Sequence, residues 1–114
     1  MRIAMPRGDI RLVRFLVNDP NGTATDIDFT DVYFTVKKTT KDRLYHFQKT
    51  LGDGIYKLGP GDYEVKIEPG DTSKMLYGKY KFDVQLMYQD QLKETFVGDF
   101  ELTEEVTFNE NERW

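Results

Sequence analysis

The chain has 114 residues, about one domain on size alone: enough for a single two-layer core and too few for two. Aromatic residues make up 14% of it, with seven Tyr and eight Phe, which sets it apart from disordered chains despite 32% charged residues. A net charge of −4 with no basic stripe argues against nucleic-acid binding, and the absence of Cys excludes disulfides and thiolate metal sites.

No apolar run approaches the roughly 18 residues of a membrane-spanning helix. Met1 to Met5 is too short for a signal-peptide core ahead of Pro6. The expectation is a chain that is cytoplasmic at synthesis, with no membrane partner. A virion destination is compatible with that.

In chain order, residues 1–6 read as a loose end. Arg7 to Val17 reads as a first strand of mixed phase, Ile10 and Leu12 on one side and Val13, Phe15 and Val17 on the other. A phase shift of that kind suggests a β-bulge or a strand that changes sheets. Asn18 to Gly22 is a cluster of turn formers, and Thr23 to Asp31 is a polar connection. Asp31 to Lys38 alternates cleanly, with Val32, Phe34 and Val36 inward and Tyr33, Thr35 and Lys37 outward. Arg43 to Leu51 is a third strand, followed by a tight Leu51-Gly-Asp-Gly54 turn and a short strand from Ile55 to Leu58. Asp62 to Glu68 places Tyr63, Val65 and Ile67 on one face, and Pro69 stops it.

Gly70 to Leu76 lacks a strand period, and Asp71 or Thr72 is suited to cap one helical turn there. Tyr77 to Tyr88 is the longest clean alternation: Tyr80, Phe82, Val84, Leu86 and Tyr88 against Lys79, Lys81, Asp83 and Gln85. It reads as the central strand. Gln89 to Gln91 is a hairpin connection, and Leu92 to Leu102 returns with Phe96, Phe100 and Leu102 in phase. Gly98 interrupts that strand and marks a bulge or a close backbone approach. Thr103 to Phe108 is expected to close the sheet with Val106 and Phe108 inward, and 109–114 to be a loose charged tail.

Strands at this spacing, with no helical period of useful length, predict an all-β fold. The expected architecture is a single antiparallel immunoglobulin-like β-sandwich of seven to nine short strands, with at most one helical turn near 70–76. Its core is expected to comprise Val32, Phe34, Val36, Val65, Ile67, Tyr80, Phe82, Val84, Leu86 and Phe100.

Chemistry-bearing patterns are sparse. Asp26, Asp28 and Asp31 cluster in a loop, but a calcium loop counted from Asp26 needs Gly and Glu where Asp31 and Lys37 stand. His46 is the only His, with no Cys and no Ser or Thr in a nucleophile context to act on. Glu64, Glu68, Asp83 and Glu101 fall on outward phases and read as solubilising charges, not a glycosidase pair. Arg7-Gly8-Asp9 matches an adhesion tripeptide and Asn21-Gly22-Thr23 a glycosylation sequon, both short enough to arise by chance. Gly52, Gly54, Gly59 and Gly61 lack the helix and the Lys of a phosphate loop. No catalytic residue, cofactor or metal is assigned. Tyr33 and Tyr45, on outward phases, and Met87, opposite the buried face of the central strand, form a candidate protein-contact surface. The alternatives for these aromatics are a sugar platform or coverage within the fold.

Longer segments carry a resemblance. Glu68 to Leu86 contains Asp71-Thr72, Leu76, Gly78, Tyr80 and Asp83-Val84, and Thr95 to Thr107 contains Gly98, Phe100 and Val106-Thr107. With Phe34-Thr-Val-Lys-Lys38 and the Arg7-Gly8-Asp9 opening, these resemble a family of small phage and prophage immunoglobulin-like β-sandwich proteins, similar to the N-terminal domain of the phage baseplate upper protein. The resemblance spans 7–108. It implies a non-enzymatic structural role, tail or baseplate associated, with other phage structural proteins as partners and homo-oligomers left open. A carbohydrate-binding module is the alternative function.

Overall fold

A computed structural model of the chain describes residues 1–104. It is an all-β fold with one short helical turn. The strands are β1 (Arg2–Pro6), β2 (Arg11–Leu16), β3 (Asp31–Lys37), β4 (Phe47–Leu51), β5 (Gly54–Gly59), β6 (Asp62–Ile67), β7 (Gly78–Tyr88) and β8 (Gln91–Thr103), with α1 (Pro69–Thr72) between β6 and β7. They form one eight-stranded sheet in the order β1-β8-β7-β3-β4-β5-β6-β2.

The sheet curls over a single core. The Phe47 and Phe100 rings meet edge to face at 5.9 Å although two strands separate β4 from β8 in the sheet order. Two layers therefore face each other, as in a sandwich. All ten expected core residues are buried, joined by Ile3, Met5, Val13, Val17, Phe29, Phe47, Ile55, Tyr63, Met75 and Leu102. On strands with one covered face, alternation alone selects the inward set.

β7 is central as its period predicts, pairing antiparallel with β3 on one side and β8 on the other. Gln89 and Asp90 both take positive φ, 50° and 65°, the signature of a two-residue hairpin turn whose twist matches the strands. Gly98 sits opposite Phe82. A Cβ there would lie 2.5 Å from the Phe82 ring and 2.6 Å from the Met1 carbonyl oxygen, so the glycine marks a close approach and not a bulge. The register shift in this hairpin falls instead between Leu86 and Met87.

Several expectations are corrected. Residues 1–6 are not a loose end: Arg2–Pro6 pairs parallel with Asp99–Thr103 and buries Ile3 and Met5. The sheet is mixed and not purely antiparallel, since β1 with β8 and β4 with β5 run parallel. β2 begins at Arg11, after a turn at Arg7-Gly8, and pairs with β6 in unbroken register without a bulge or a change of sheet. Its mixed phase has a different cause: Val13 and Val17 are buried, whereas Ile10, Leu12 and Leu16 are exposed. β4 begins at Phe47, leaving Arg43 to His46 in the connection. The helical turn is capped by Glu68, whose N–H donates to Asp71 Oδ2 at 2.7 Å, and Thr72 is buried within the turn. The expected closing segment with Val106 and Phe108 and the tail at 109–114 lie outside the described residues.

Candidate interaction surfaces

The three residues singled out from the sequence do not form one patch. Tyr33 and Met87 share the outward face of β3 and β7, where Tyr33 stands opposite Gln85 and Thr50, and Met87 opposite Asp31. Both are half-buried. Tyr45 is exposed but lies in the β3–β4 connection, past the opposite end of β3, where the His46 N–H donates to the Val36 carbonyl at 2.8 Å. Between them the outward face is polar and self-satisfied. Gln48 Nε2 donates to Thr35 Oγ1 at 3.0 Å, which covers Thr35. Asp83, opposite Thr35, is partly withdrawn from water, and that burial raises its pKa against the opposing pull of Lys37.

The remaining candidates are absorbed into the fold. The His46 ring packs edge-on against Tyr80 at 5.0 Å. Asp28 accepts from Lys57 Nζ at 2.7 Å. Among the described residues no three His, Cys, Asp or Glu gather as metal ligands would. The Arg7-Gly8-Asp9 stretch is held inward: Arg7 lies 4.4 Å over the Tyr77 ring and donates to Tyr77 Oη at 3.0 Å, and the Gly8 N–H donates to Thr72 Oγ1 at 2.9 Å. Asn21-Gly22-Thr23 is a turn in which Asp19 Oδ1 accepts the N–H groups of Asn21 and Thr23. Glu101 is paired with Arg2, Asp99 with Lys81, and Lys38 reaches the Lys79 carbonyl at 2.9 Å across the Tyr80 ring. These groups border a shallow hollow of about 350 Å³ in which most charges are matched.

A larger opening was not evident from alternation. It is a groove of about 620 Å³ between β2 and the hairpin of β7 and β8, lined by Met1, Phe15, Leu16, Phe82, Val84 and Phe96 with their neighbours Arg14, Thr95 and Val97. Phe15 stacks on Tyr63 at 5.5 Å, and Phe82 stacks on Phe34 at 5.2 Å, so the floor of the groove is the wall of the core. Among the described residues that line it, Arg14 carries the only charged side chain. Arg14 Nε donates to Asp62 Oδ1 at 2.8 Å, a contact that holds the Asp62 carboxyl below its ordinary pKa.

Both flanks of the groove are strand edges. Among the described residues β2 is the last strand of the sheet and pairs only with β6. β1 covers β8 from Asp99 to Thr103, so residues 91–97 have no strand beside them on that side among the described residues. One sequence signal does point here. β2 and the first half of β8 carry apolar residues on both phases, Leu12 and Leu16 with Val13 and Phe15, and Phe96 with Val97. A strand with one wet face should not.

No family model matches the chain, and no curated protein does. Among solved structures, the endo-β-1,4-mannanase from Thermotoga petrophila is similar, with a TM-score of 0.56 and 17% identity over 90% of this chain. The match takes in 18% of that protein, so the chain spans less than a fifth of its length. At this identity the likeness is one of fold. No helix among the described residues is long and apolar enough to cross a membrane.

Proposed function

We propose that this chain is a non-enzymatic assembly domain of a phage or prophage particle, tail or baseplate associated, that acts by packing against neighbouring structural proteins. One observation carries the packing role: an apolar groove opens directly onto the core and is flanked by two strand edges that are unpaired among the described residues. Exposed edges and contiguous apolar surface favour association, and folds that stay monomeric blunt or cover them. The particle assignment rests on the sequence resemblance given above. Mass spectrometry of particles purified after prophage induction in the source strain tests it. The chain is expected as a stoichiometric component, and its absence from purified particles would overturn the assignment.

A second reading, a carbohydrate-binding module, is supported by the outward face on which Tyr33 stands between Thr50 and Gln85 and by the mannanase to which the fold is similar. A glycan array separates the two. Binding that is lost in Tyr33→Ala supports the sugar platform, and no binding at millimolar glycan removes it.

A further inference from the structure

We propose that the groove between β2 and β8 receives an extended segment of another protein, added as a strand along residues 91–97 of β8. The inference rests on the packing role proposed above and names what packs. Asp99 donates its N–H to the Met1 carbonyl at 3.1 Å, the end rung of the ladder between β1 and β8. Along a strand, alternate residues present their backbone groups to the same side. Val97 and Thr95, which lie between Asp99 and the register shift at Leu86 and Met87, therefore present N–H and C=O in line with that ladder, with no rung to meet among the described residues. The vacant positions run on from a ladder that already exists, and an incoming backbone completes it.

The side-chain side of the slot fits the same occupant. Phe96 stands opposite Val84, on the core face, yet is 38% exposed, whereas Val84 is buried. It is a core side chain without a cover on its groove side. Phe15 and Leu16 stand across from it on β2, so every second residue of an added strand would enter a cavity of about 620 Å³ with apolar walls. Charge narrows the chemistry. Arg14 is already met by Asp62, so a charged group pushed against the Phe15, Leu16 and Phe96 walls would be desolvated with no free charged side chain beside it among the described lining residues. The segment is thus apolar at alternate positions and uncharged across its middle. Along the two edges the charged side chains without an ion-pair partner among the described residues are Arg11, Glu94 and Lys93, whose Nζ donates to Gln91 Oε1 at 3.4 Å, a net positive charge, which favours acidic residues at the ends of the segment.

The test uses the whole chain and a synthetic, end-blocked nonapeptide, Glu-Thr-Val-Thr-Ile-Thr-Val-Thr-Glu, followed by amide NMR and hydrogen exchange. Saturable binding is expected, with exchange at Thr95 and Val97 slowed at least tenfold. Two controls are expected to bind at least tenfold more weakly: the same composition with its three apolar residues adjacent, and the alternating peptide N-methylated at every second residue so that it keeps its side chains and loses one edge of donors. Thr95→Pro removes a groove-facing donor outside the ladder with β7 and is expected to weaken binding equally. Should that variant fail to fold, the N-methylated peptide decides the question on the unaltered protein. No slowing of the two amides at 1 mM peptide overturns the proposal, as does equal binding of the scrambled peptide. Amides at 91–97 already protected in a concentration-dependent dimer would also overturn it, by assigning the edge to a second copy. Presence in particles without peptide binding sinks the strand slot alone, and strand binding without presence in particles sinks only the particle role.

Discussion

Phe96 and Phe100 are the same residue on the same strand and the same face, four positions apart, and they have different surroundings. Phe100 is fully buried, with Ile3 of β1 in the next strand on the same rung, Tyr80 opposite and the Phe47 ring closing from the facing layer. Phe96 is 38% exposed, opposite Val84, with no strand on its outer side among the described residues. The alternation that places both side chains inward is identical. What differs is whether a second strand and a facing layer reach that far along β8. Burial in a curled sheet is thus a product of two terms: the phase of the residue, which is local, and coverage, which is set by partners distant in sequence.

The largest effect expected on the closed half comes from Val84→Asp. Val84 is buried at the centre of β7, between Phe34 of β3 and Phe96 of β8. An unpaired carboxylate there costs several kcal/mol, a large share of the roughly 5–15 kcal/mol that holds a domain together. Loss of soluble, cooperatively melting protein is the expected outcome. A normal melt would show that β7 does not hold this register.

The direct comparison is Phe100→Ala against Phe96→Ala by denaturant unfolding. Truncating a fully buried Phe costs about 3–5 kcal/mol, because transfer and cavity terms add. Phe96 already meets water and leaves a groove, not a sealed void, so about 1 kcal/mol is expected there. Equal costs for the two would mean that the open half is covered in solution.

This pair also marks how far the sequence was legible. Val32, Phe34, Val36, Val65 and Ile67, like the inward set of β7, follow from a period of two and needed nothing else. β1 was missed because five residues with a Pro at the end have no strand signal of their own, and their partner stands nearly a hundred residues away. The groove was missed for the same reason: its two walls, β2 and β8, never pair with each other. Phe15 and Phe96 look like ordinary core residues until the strand order is known. Tyr45 failed the opposite test, being exposed as expected but placed in a connection and not on the face of Tyr33.

Gly98 is the boundary between the halves, and Gly98→Ala sharpens where it lies. The added methyl would stand 2.5 Å from a Phe82 ring that is stacked on Phe34 and 2.6 Å from the Met1 carbonyl that ends the β1 ladder. Neither neighbour is the loose end of a surface chain. About 1–3 kcal/mol of overpacking is expected. Exchange at Asp99, which donates to Met1, should rise before exchange at residues of β7. A variant as stable as the parent would mean that β1 gives way at no cost, and that the closed half ends further along the strand.

The smallest effect concerns the outward face, and its sign is fixed by Asp83. Burial raises the pKa of this carboxyl above its ordinary 3.8, with Lys37 opposing. A raised folded-state value means that the neutral form suits the fold. That contribution is complete below the unfolded value and disappears as pH rises through the folded one. Asp62 and Asp99 act the other way: hydrogen bonds from Arg14 and Lys81 lower their pKa values, so their contribution is present above the unfolded value and lost as pH falls. Both pairs persist in Asp83→Asn, so they cancel when variant and parent are compared at each pH. The melting temperature of Asp83→Asn relative to the parent should therefore climb from pH 3 to pH 7. A flat difference would mean that the row Thr35, Asp83 and Val97 is wetter than the sheet geometry implies. It would also weaken the contrast between a polar outer face that is internally satisfied and an inner face that is apolar and open.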